Sequence, residues 1–133
     1  IRGNRRMKNI LITGGAGFVG FHLAKKLSKD NKVTIIDNFK RPNKDKKFLD
    51  LLSHENVTHL NLDLSDQRVL DNWKMNFFDT VYHFAALNGT SNFYNFPASV
   101  LKIGAFSTIN LLEWVAKQDK KPEIITKVLV EKI

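Results

Sequence analysis

The sequence predicts a doubly wound α/β fold, in which helices cover both faces of a parallel β-sheet. Short apolar runs rich in β-branched residues alternate along the chain with segments of helical periodicity. The runs are almost continuously apolar, as strands buried on both faces require. A glycine-rich segment joins the first run to the first helical pattern. Strands separated by helices pair in parallel through right-handed crossovers, so the 133 residues predict one such domain.

The periodicity of apolar residues places the individual elements. Strands are predicted at residues 8–12, 33–36, 57–62 and 80–84. Helices are predicted at residues 18–28, 44–52 and 97–118. A further helix carries Val69, Leu70 and Trp73, and either Ser65 or Asp66 can cap it.

Composition limits the class of protein. The chain has no cysteine, and the spacing of its four histidines does not match a metal site. Its apolar runs are shorter than the roughly 18 residues that suggest a membrane span, and the N-terminus lacks a signal-peptide pattern. We therefore expect a cytoplasmic protein without a membrane partner. Residues 1–6 are interpreted as an extension or tag remnant, and residues 7–133 as the folded domain.

The net charge is +8, and part of it lies in one basic cluster. The cluster consists of Lys40, Arg41, Lys44, Lys46 and Lys47. A solvated loop and helix face is the favoured interpretation. Attraction of an anionic ligand, either nucleotide phosphate or nucleic acid, is the alternative. No aromatic residues interleave residues 40–47, so a nucleic-acid partner is not predicted.

The glycine-rich segment at residues 13–20 has the form of a phosphate-binding loop. It follows the first predicted strand and opens the first helix, whose N-terminus offers free N–H groups and the positive end of the helix dipole. Both G-x-G-x-x-G and G-x-x-G-x-x-G registers fit. The candidate contacts to a pyrophosphate are Gly14, Gly15, Ala16, Gly17, Phe18, Val19 and Gly20. This context predicts a Rossmann-type dinucleotide-binding domain.

An acidic residue stands where such a domain needs one. Asp37 ends the second predicted strand, about 20 residues after the loop. Its carboxylate can accept hydrogen bonds from both ribose hydroxyls and would repel a 2′-phosphate, which favours NAD over NADP. Lys40 and Arg41 lie just downstream and could tolerate a phosphate. A simple turn role for Asp37 is the alternative.

Four ordered motifs resemble those of one family. They are TGGAGFVG at residues 13–20, IIDNF at 35–39, LDLSD at 62–66 and VYHFAAL at 81–87. Over residues 7–118 the chain resembles the extended short-chain dehydrogenase/reductase family, and within it the NAD-dependent nucleotide-sugar epimerases and dehydratases. The resemblance implies NAD as cofactor and a nucleotide-sugar substrate for the full-length parent protein.

The resemblance also implies residue roles. Gly14, Gly17 and Gly20 would line the pyrophosphate, and Asp37 would bind the adenosine ribose with Asn38 nearby. Asp63 and Leu64 would flank the adenine, although Asp63 could equally belong to a helix-capping loop. His83, Phe84, Ala85 and Ala86 would form the floor beneath the cofactor, although a hydrogen-bonded core histidine is the favoured interpretation of His83.

The sequence departs from the family at its catalytic pair. The family uses a tyrosine and a lysine four residues later, but Ala86 and Ala98 follow Tyr82 and Tyr94 at that spacing. Two alternatives exist for residues 122–133. In the first, these residues form a fifth strand with a tail. In the second, residues 126–133 form a helix in which Lys127 is a remnant of the catalytic lysine, and Glu123 takes the tyrosine position. No intact catalytic residue is predicted, so the chain alone is expected to be inactive.

Two further expectations come from the helix predicted at residues 97–118. The family places an asparagine where this chain has Gly104, and a glycine within a helix costs about 1 kcal/mol against alanine. Relatives often pair through long helices, so the resemblance implies a homodimer with Phe106 and Trp114 as exposed candidates.

Three functions are weighed. The first is the NAD-binding portion of a nucleotide-sugar epimerase or dehydratase. The second is a non-catalytic NAD(H)-binding module. The least favoured is a basic nucleic-acid-binding domain.

Overall fold

A computed structural model describes residues 6–14, 17–38, 46–71, 77–84, 95 and 97–126. Five strands run along the chain: β1 (Asn9–Thr13), β2 (Lys32–Asp37), β3 (Val57–Asn61), β4 (Thr80–His83) and β5 (Glu123–Thr126). Within the described ranges four helices lie between them: α1 (Phe18–Leu27), α2 (Lys46–Leu52), α3 (Gln67–Asp71) and α4 (Pro97–Ala116).

The strands form one parallel sheet in the order β3-β2-β1-β4-β5. The chain therefore builds the sheet outward from β1 to β3, and then returns to the other side of β1 for β4 and β5. This reversal is the defining feature of a doubly wound sheet, and it confirms the predicted fold class. At the carboxyl edge Thr13 of β1 pairs with Ile36 of β2 on one side and His83 of β4 on the other.

Alternate side chains of the central strands fill two separate cores. On one face Leu11, Ile36 and Val81 pack with residues of α3 and α4. On the other face Ile10, Ile12 and Ile35 pack with residues of α1 and α2. The central strands are thus buried on both sides, as their continuous apolar runs predict. The edge strands β3 and β5 are mainly exposed or half-buried.

Most predicted elements are present, with ends shifted by one or two residues. Asp66 rather than Ser65 caps α3, because its Oδ1 accepts the N–H of Arg68 at 3.0 Å. The helix ends at Asp71, and Trp73 lies outside the described residues. Among the helices of the described ranges, none combines the length and the apolarity that crossing a bilayer demands.

The segment after Pro122 resolves the two alternatives for its first residues. Glu123 pairs in parallel with Thr80, and Thr126 pairs with His83, so residues 123–126 are a fifth strand. The alternative helix at residues 126–133 is wrong at Thr126, because this residue lies in an extended ladder with β4. The remaining residues of that helix, including Lys127, lie outside the described residues.

The expectation that Trp114 is exposed is also wrong. Trp114 is 7% exposed and its ring lies 6.2 Å from that of Phe78. It shares a helical face with Leu111 and Val115, which pack against the sheet. Phe106, by contrast, is 49% exposed on α4.

Gly104 offers a test of the helix itself. A Cβ at Gly104 would meet no heavy atom within 4 Å, so replacement brings only the gain in helix propensity. We expect Gly104→Ala to raise the free energy of unfolding by about 1 kcal/mol, measured by urea denaturation.

The matched control is the exposed neighbour Ala105. Ala105→Gly should lower the free energy of unfolding by a similar amount. A destabilised Gly104→Ala variant would mean that residue 104 is crowded, contrary to this structure.

Candidate functional site

The predicted site residues converge on the carboxyl edge of the sheet. Gly14 follows β1, Asp37 ends β2 and Phe84 follows β4. The order of the strands reverses between β1 and β4, and ligands of doubly wound sheets bind outside the strand ends at such a reversal. These three candidate residues, far apart in the sequence, therefore lie at one edge of the sheet.

The glycine loop begins with a backbone turn that favours glycine. Gly14 has a φ of 76°, a left-handed conformation that costs other residues free energy. Its N–H donates to the carbonyl of Ile36 at 2.7 Å, which attaches the loop to the end of β2. Its carbonyl accepts the N–H of Gly17 at 3.1 Å, which closes the loop. Gly15 and Ala16, two further predicted contacts, lie outside the described residues.

Helix α1 begins directly after this loop. Gly17 is its N-cap and makes no side-chain capping hydrogen bond, and its carbonyl accepts the N–H of Phe21 at 2.8 Å. The N–H groups of Phe18, Val19 and Gly20 consequently have no acceptor within the helix. The first turn carries no acidic residue. An anion at this end of α1 would meet donors that the helix itself does not use and the positive end of the helix dipole.

The space around Gly17 is limited but would admit a Cβ atom. A Cβ there would lie 3.4 Å from the carbonyl oxygen of Gly14, and its φ of −76° suits any residue. Gly17 is exposed, Gly20 is buried against the body of the domain, and Val19 is exposed. A small residue at position 17 therefore keeps the loop surface open rather than relieving backbone strain.

Asp37 lies one strand away from the loop. It is half-buried and pairs with Asn61 of β3, and its carbonyl accepts the N–H of Leu62 at 3.1 Å. Asn38 follows it and is also half-buried. The carboxylate of Asp37 thus belongs to the same edge as the N-terminus of α1.

The segment after β3 is ordered by its own side chains. Asp63 Oδ1 accepts the Ser65 N–H at 3.0 Å and the Ser65 hydroxyl at 2.6 Å. Leu64 is only 2% exposed and packs in the core, while its carbonyl accepts the Asn110 amide at 2.8 Å. The side chain of Leu64 therefore faces inward, and Asn110 of α4 holds its backbone.

A buried hydrogen-bonded chain joins β1, β4 and α4. His83 is 5% exposed, and its Nδ1 lies 2.7 Å from the hydroxyl of Thr13. Its Nε2 lies 3.0 Å from the hydroxyl of Thr108, which in turn donates to the carbonyl of Gly104 at 2.8 Å. Burial lowers the pKa of His83 below the ordinary histidine value. The favoured interpretation of His83 as a hydrogen-bonded core residue is confirmed.

The end of β4 is attached to β1 through a shared donor. The N–H of Phe84 lies 3.0 Å from both the carbonyl and the hydroxyl oxygen of Thr13. The half-buried Phe84 ring lies 6.3 Å from that of Tyr82. The predicted floor residues Ala85 and Ala86 lie outside the described residues.

Three residues of this edge were missed by the sequence reasoning. Thr13, Thr108 and Asn110 hold the strand ends and the loop after β3. In the sequence Thr13 stands out only as the first residue of the glycine motif. Helical periodicity marks Thr108 and Asn110 merely as polar positions on α4, and the sequence carries no signal for their partners.

A doubly wound sheet with a glycine loop at its strand-order reversal defines the Rossmann-type class of α/β domains. The family model described as GDP-mannose 4,6 dehydratase matches residues 11–128. The chain belongs to this family, within the nucleotide-sugar epimerases and dehydratases of the extended short-chain dehydrogenase/reductases.

Individual relatives agree with this assignment. UDP-glucuronic acid decarboxylase 1 of Danio rerio is 37% identical over 79% of this chain, which covers 24% of that protein. A crystal structure of UDP-galactose 4-epimerase superposes with a TM-score of 0.72 and 27% identity, over 89% of this chain and 37% of the other.

The Bordetella bronchiseptica enzyme WbmF in complex with NAD+ superposes with a TM-score of 0.76 and 23% identity. The match covers 90% of this chain and 35% of WbmF, and it shows a shared fold. The chain thus spans 24% to 37% of the length of these three proteins.

The buried imidazole makes stability depend on pH. Because the pKa of His83 is lower in the folded than in the unfolded chain, the unfolded state binds the extra proton as the pH falls below about 6.5. The contribution of His83 to the free energy of unfolding is then lost by up to about 1.4 kcal/mol per pH unit, until the folded pKa is reached.

We expect His83→Gln to remove this slope from a series of urea denaturations between pH 7.5 and 5, compared with the parent chain. His59 is an exposed histidine of β3, and His59→Gln should leave the slope due to His83 in place. A difference between parent and His83→Gln that does not vary with pH would contradict the assignment.

Proposed function

We propose that the chain is the NAD-binding portion of a nucleotide-sugar epimerase or dehydratase. One observation carries the proposal: helix α1 opens with N–H groups that have no acceptor within the helix and with no acidic residue, at the strand-order reversal and at the same sheet edge as Asp37. This combination suits a dinucleotide, whose pyrophosphate needs donors and whose ribose needs a carboxylate acceptor.

The residues present fit such a cofactor. Phe18, Val19 and Gly20 would donate backbone hydrogen bonds to the pyrophosphate, and the exposed, side-chain-free Gly17 would let it approach. When bound, NAD supplies a hydride acceptor for oxidation of a sugar carbon. The chain's own part is to bind and orient the dinucleotide at the carboxyl edge.

Asp37 supports NAD rather than NADP. Its carboxylate would accept hydrogen bonds from the ribose hydroxyls and repel a phosphate on the 2′-oxygen. Asn38 follows at the same edge. The related WbmF was crystallised with NAD+, which agrees with this preference.

The remaining contacts complete the proposed site. Asp63 would accept from the adenine amine while it orders its own loop, and Leu64 would contribute through its backbone, since its side chain is in the core. Gly15, Ala16, Ala85 and Ala86 remain predicted contacts. Phe84 would lie beneath the cofactor next to Thr13.

The whole protein would act on a sugar linked to a nucleoside diphosphate. UDP-sugars are named in both UDP-glucuronic acid decarboxylase 1 and UDP-galactose 4-epimerase, so a UDP-sugar is the proposed substrate class. The Tyr-x-x-x-Lys pair does not occur in these 133 residues. A non-catalytic NAD(H)-binding module is the alternative, and a parent sequence without that pair would favour it.

We expect the 133-residue chain to bind NADH, observed as saturable enhancement of cofactor fluorescence. Gly17→Val should fold normally, because the φ of Gly17 suits valine, but should lose the saturable signal. Gly104→Ala is the glycine control on another element and should bind as the parent does. No saturation by the parent at millimolar NADH would refute the proposal.

In the same titration Asp37→Ala should weaken NADH binding by about 10- to 100-fold, the equivalent of a lost charged hydrogen bond. Its affinity for NADPH should change far less. Asp50→Ala, an exposed carboxylate of α2, should leave both affinities unchanged. Equal effects of Asp37→Ala on both cofactors would contradict a ribose contact.

A homodimer through α4 is the proposed assembly. Phe106, Ile109 and Leu112 are each nearly half exposed along one side of this helix, and exposed apolar stripes mark interaction surfaces. A second copy of the same helix would cover this stripe.

Sedimentation velocity should then show a dimer for the parent chain and a monomer for Leu112→Glu. Leu49→Glu makes the same change at an exposed leucine of α2 and should keep the dimer. A parent chain that is monomeric throughout the measured concentration range would refute this assembly.

A further inference from the structure

The hydrogen bonds around His83 have a direction that the carbonyl of Gly104 determines. At one end the carbonyl of Gly104 can only accept, so the Thr108 hydroxyl must donate its single proton there. At the other end the Thr13 oxygen accepts the N–H of Phe84, and this bond leaves the direction of the Thr13 hydroxyl proton undetermined. The direction along the hydrogen bonds is therefore set at the Thr108 end.

The direction of these hydrogen bonds determines which ring nitrogen of His83 carries the hydrogen. Since the proton of Thr108 is committed to Gly104, the contact at 3.0 Å requires His83 Nε2 to carry a hydrogen and donate to Thr108. In a neutral ring Nδ1 then accepts, and the Thr13 hydroxyl donates to it at 2.7 Å. The arrangement satisfies His83 in one neutral tautomer only.

This series of hydrogen bonds ends at Thr13, where the glycine loop begins. Thr13 is the last residue of β1, and Gly14 leaves it with a positive φ toward the N-terminus of α1. The carbonyl of Thr13 also accepts from Phe84. The position of the loop relative to α4 thus depends on one side-chain connection through His83 in addition to the strand ladder.

We propose that His83 is a positioning residue: as a neutral Nε2–H imidazole it connects Thr108 of α4 to Thr13 and so holds the phosphate-binding loop in place. The effect on cofactor affinity rests on the proposed function, whereas the tautomer and the loop position do not. A merely space-filling histidine would show neither a single tautomer nor a response of the loop to the Thr108 hydroxyl.

The first test is the long-range ¹H–¹⁵N spectrum of the histidine rings in the ¹⁵N-labelled chain at pH 7.5. We expect the ring of His83 to be the neutral Nε2–H tautomer, and Thr108→Ser to preserve it. Thr108→Val removes the acceptor of Nε2–H and should produce a tautomer mixture. A neutral Nδ1–H ring or a charged ring in the parent would overturn the proposal.

Thr126→Val is the matched control. Its hydroxyl lies 3.4 Å from the carbonyl of His83 rather than from the ring, so the same chemical change next to the same residue should leave the tautomer unaltered. The amide resonances of Gly14 and Gly17 should move in Thr108→Val but not in Thr126→Val. Unmoved loop amides in Thr108→Val would overturn the positioning role.

The second test is NADH affinity. We expect Thr108→Val to weaken binding by roughly 2- to 30-fold, the range of couplings carried by such networks, while Thr108→Ser and Thr126→Val bind as the parent does. If the parent binds NADH and Thr108→Val binds it equally well, the positioning role is refuted and the proposed function stands. If the parent does not bind NADH, the proposed function is refuted, and the ring and amide spectra still decide the role of His83.

Discussion

The pairing of β1 with both β2 and β4 is the constraint on which the rest of the structure depends. Because β1 is the first strand of the chain, it can be flanked on both sides only if the chain reverses its direction of sheet building, and this reversal leaves a crevice at the carboxyl ends. The same pairing brings Gly14 beside the end of β2 and Thr13 beside His83. The loop, the acidic residue and the buried histidine are therefore neighbours because of one topological feature.

Exposed and buried polar groups have different roles at this edge of the sheet. On the surface, the N-terminus of α1 keeps donors that neither a capping side chain nor the helix itself uses. A few residues away, His83 is removed from water and its ring is hydrogen-bonded through both nitrogens. The N-terminus of α1 suits a ligand that supplies hydrogen-bond acceptors. The ring of His83, already hydrogen-bonded by protein groups, gives rigid support.

Helix α4 supports the carboxyl edge of the sheet. Its apolar face, including Leu111 and Val115, packs on the sheet, and two polar side chains of the same helix reach different parts of the site. Thr108 contacts the ring of His83, and Asn110 holds the carbonyl of Leu64. Helix α4 is thus a single rigid element that helps to position both the glycine loop and the loop after β3. Gly104 contributes through its backbone carbonyl, which a substitution at this residue would retain.

Local sequence determined the doubly wound class, the glycine loop, the acidic end of β2 and most element positions, because hydrophobic period, glycine spacing and strand ends are all encoded over a few neighbouring residues. Tertiary structure decided what depends on residues far apart in the chain. The packing of helices on the sheet buries Trp114 and Leu64. Pairing with β4 makes residues 123–126 a fifth strand. Hydrogen bonds between distant segments connect Thr13, His83 and Thr108. Side-chain burial and hydrogen-bond partners depend on how elements pack, and periodicity along one element carries no information about the polar group that another element will place against it.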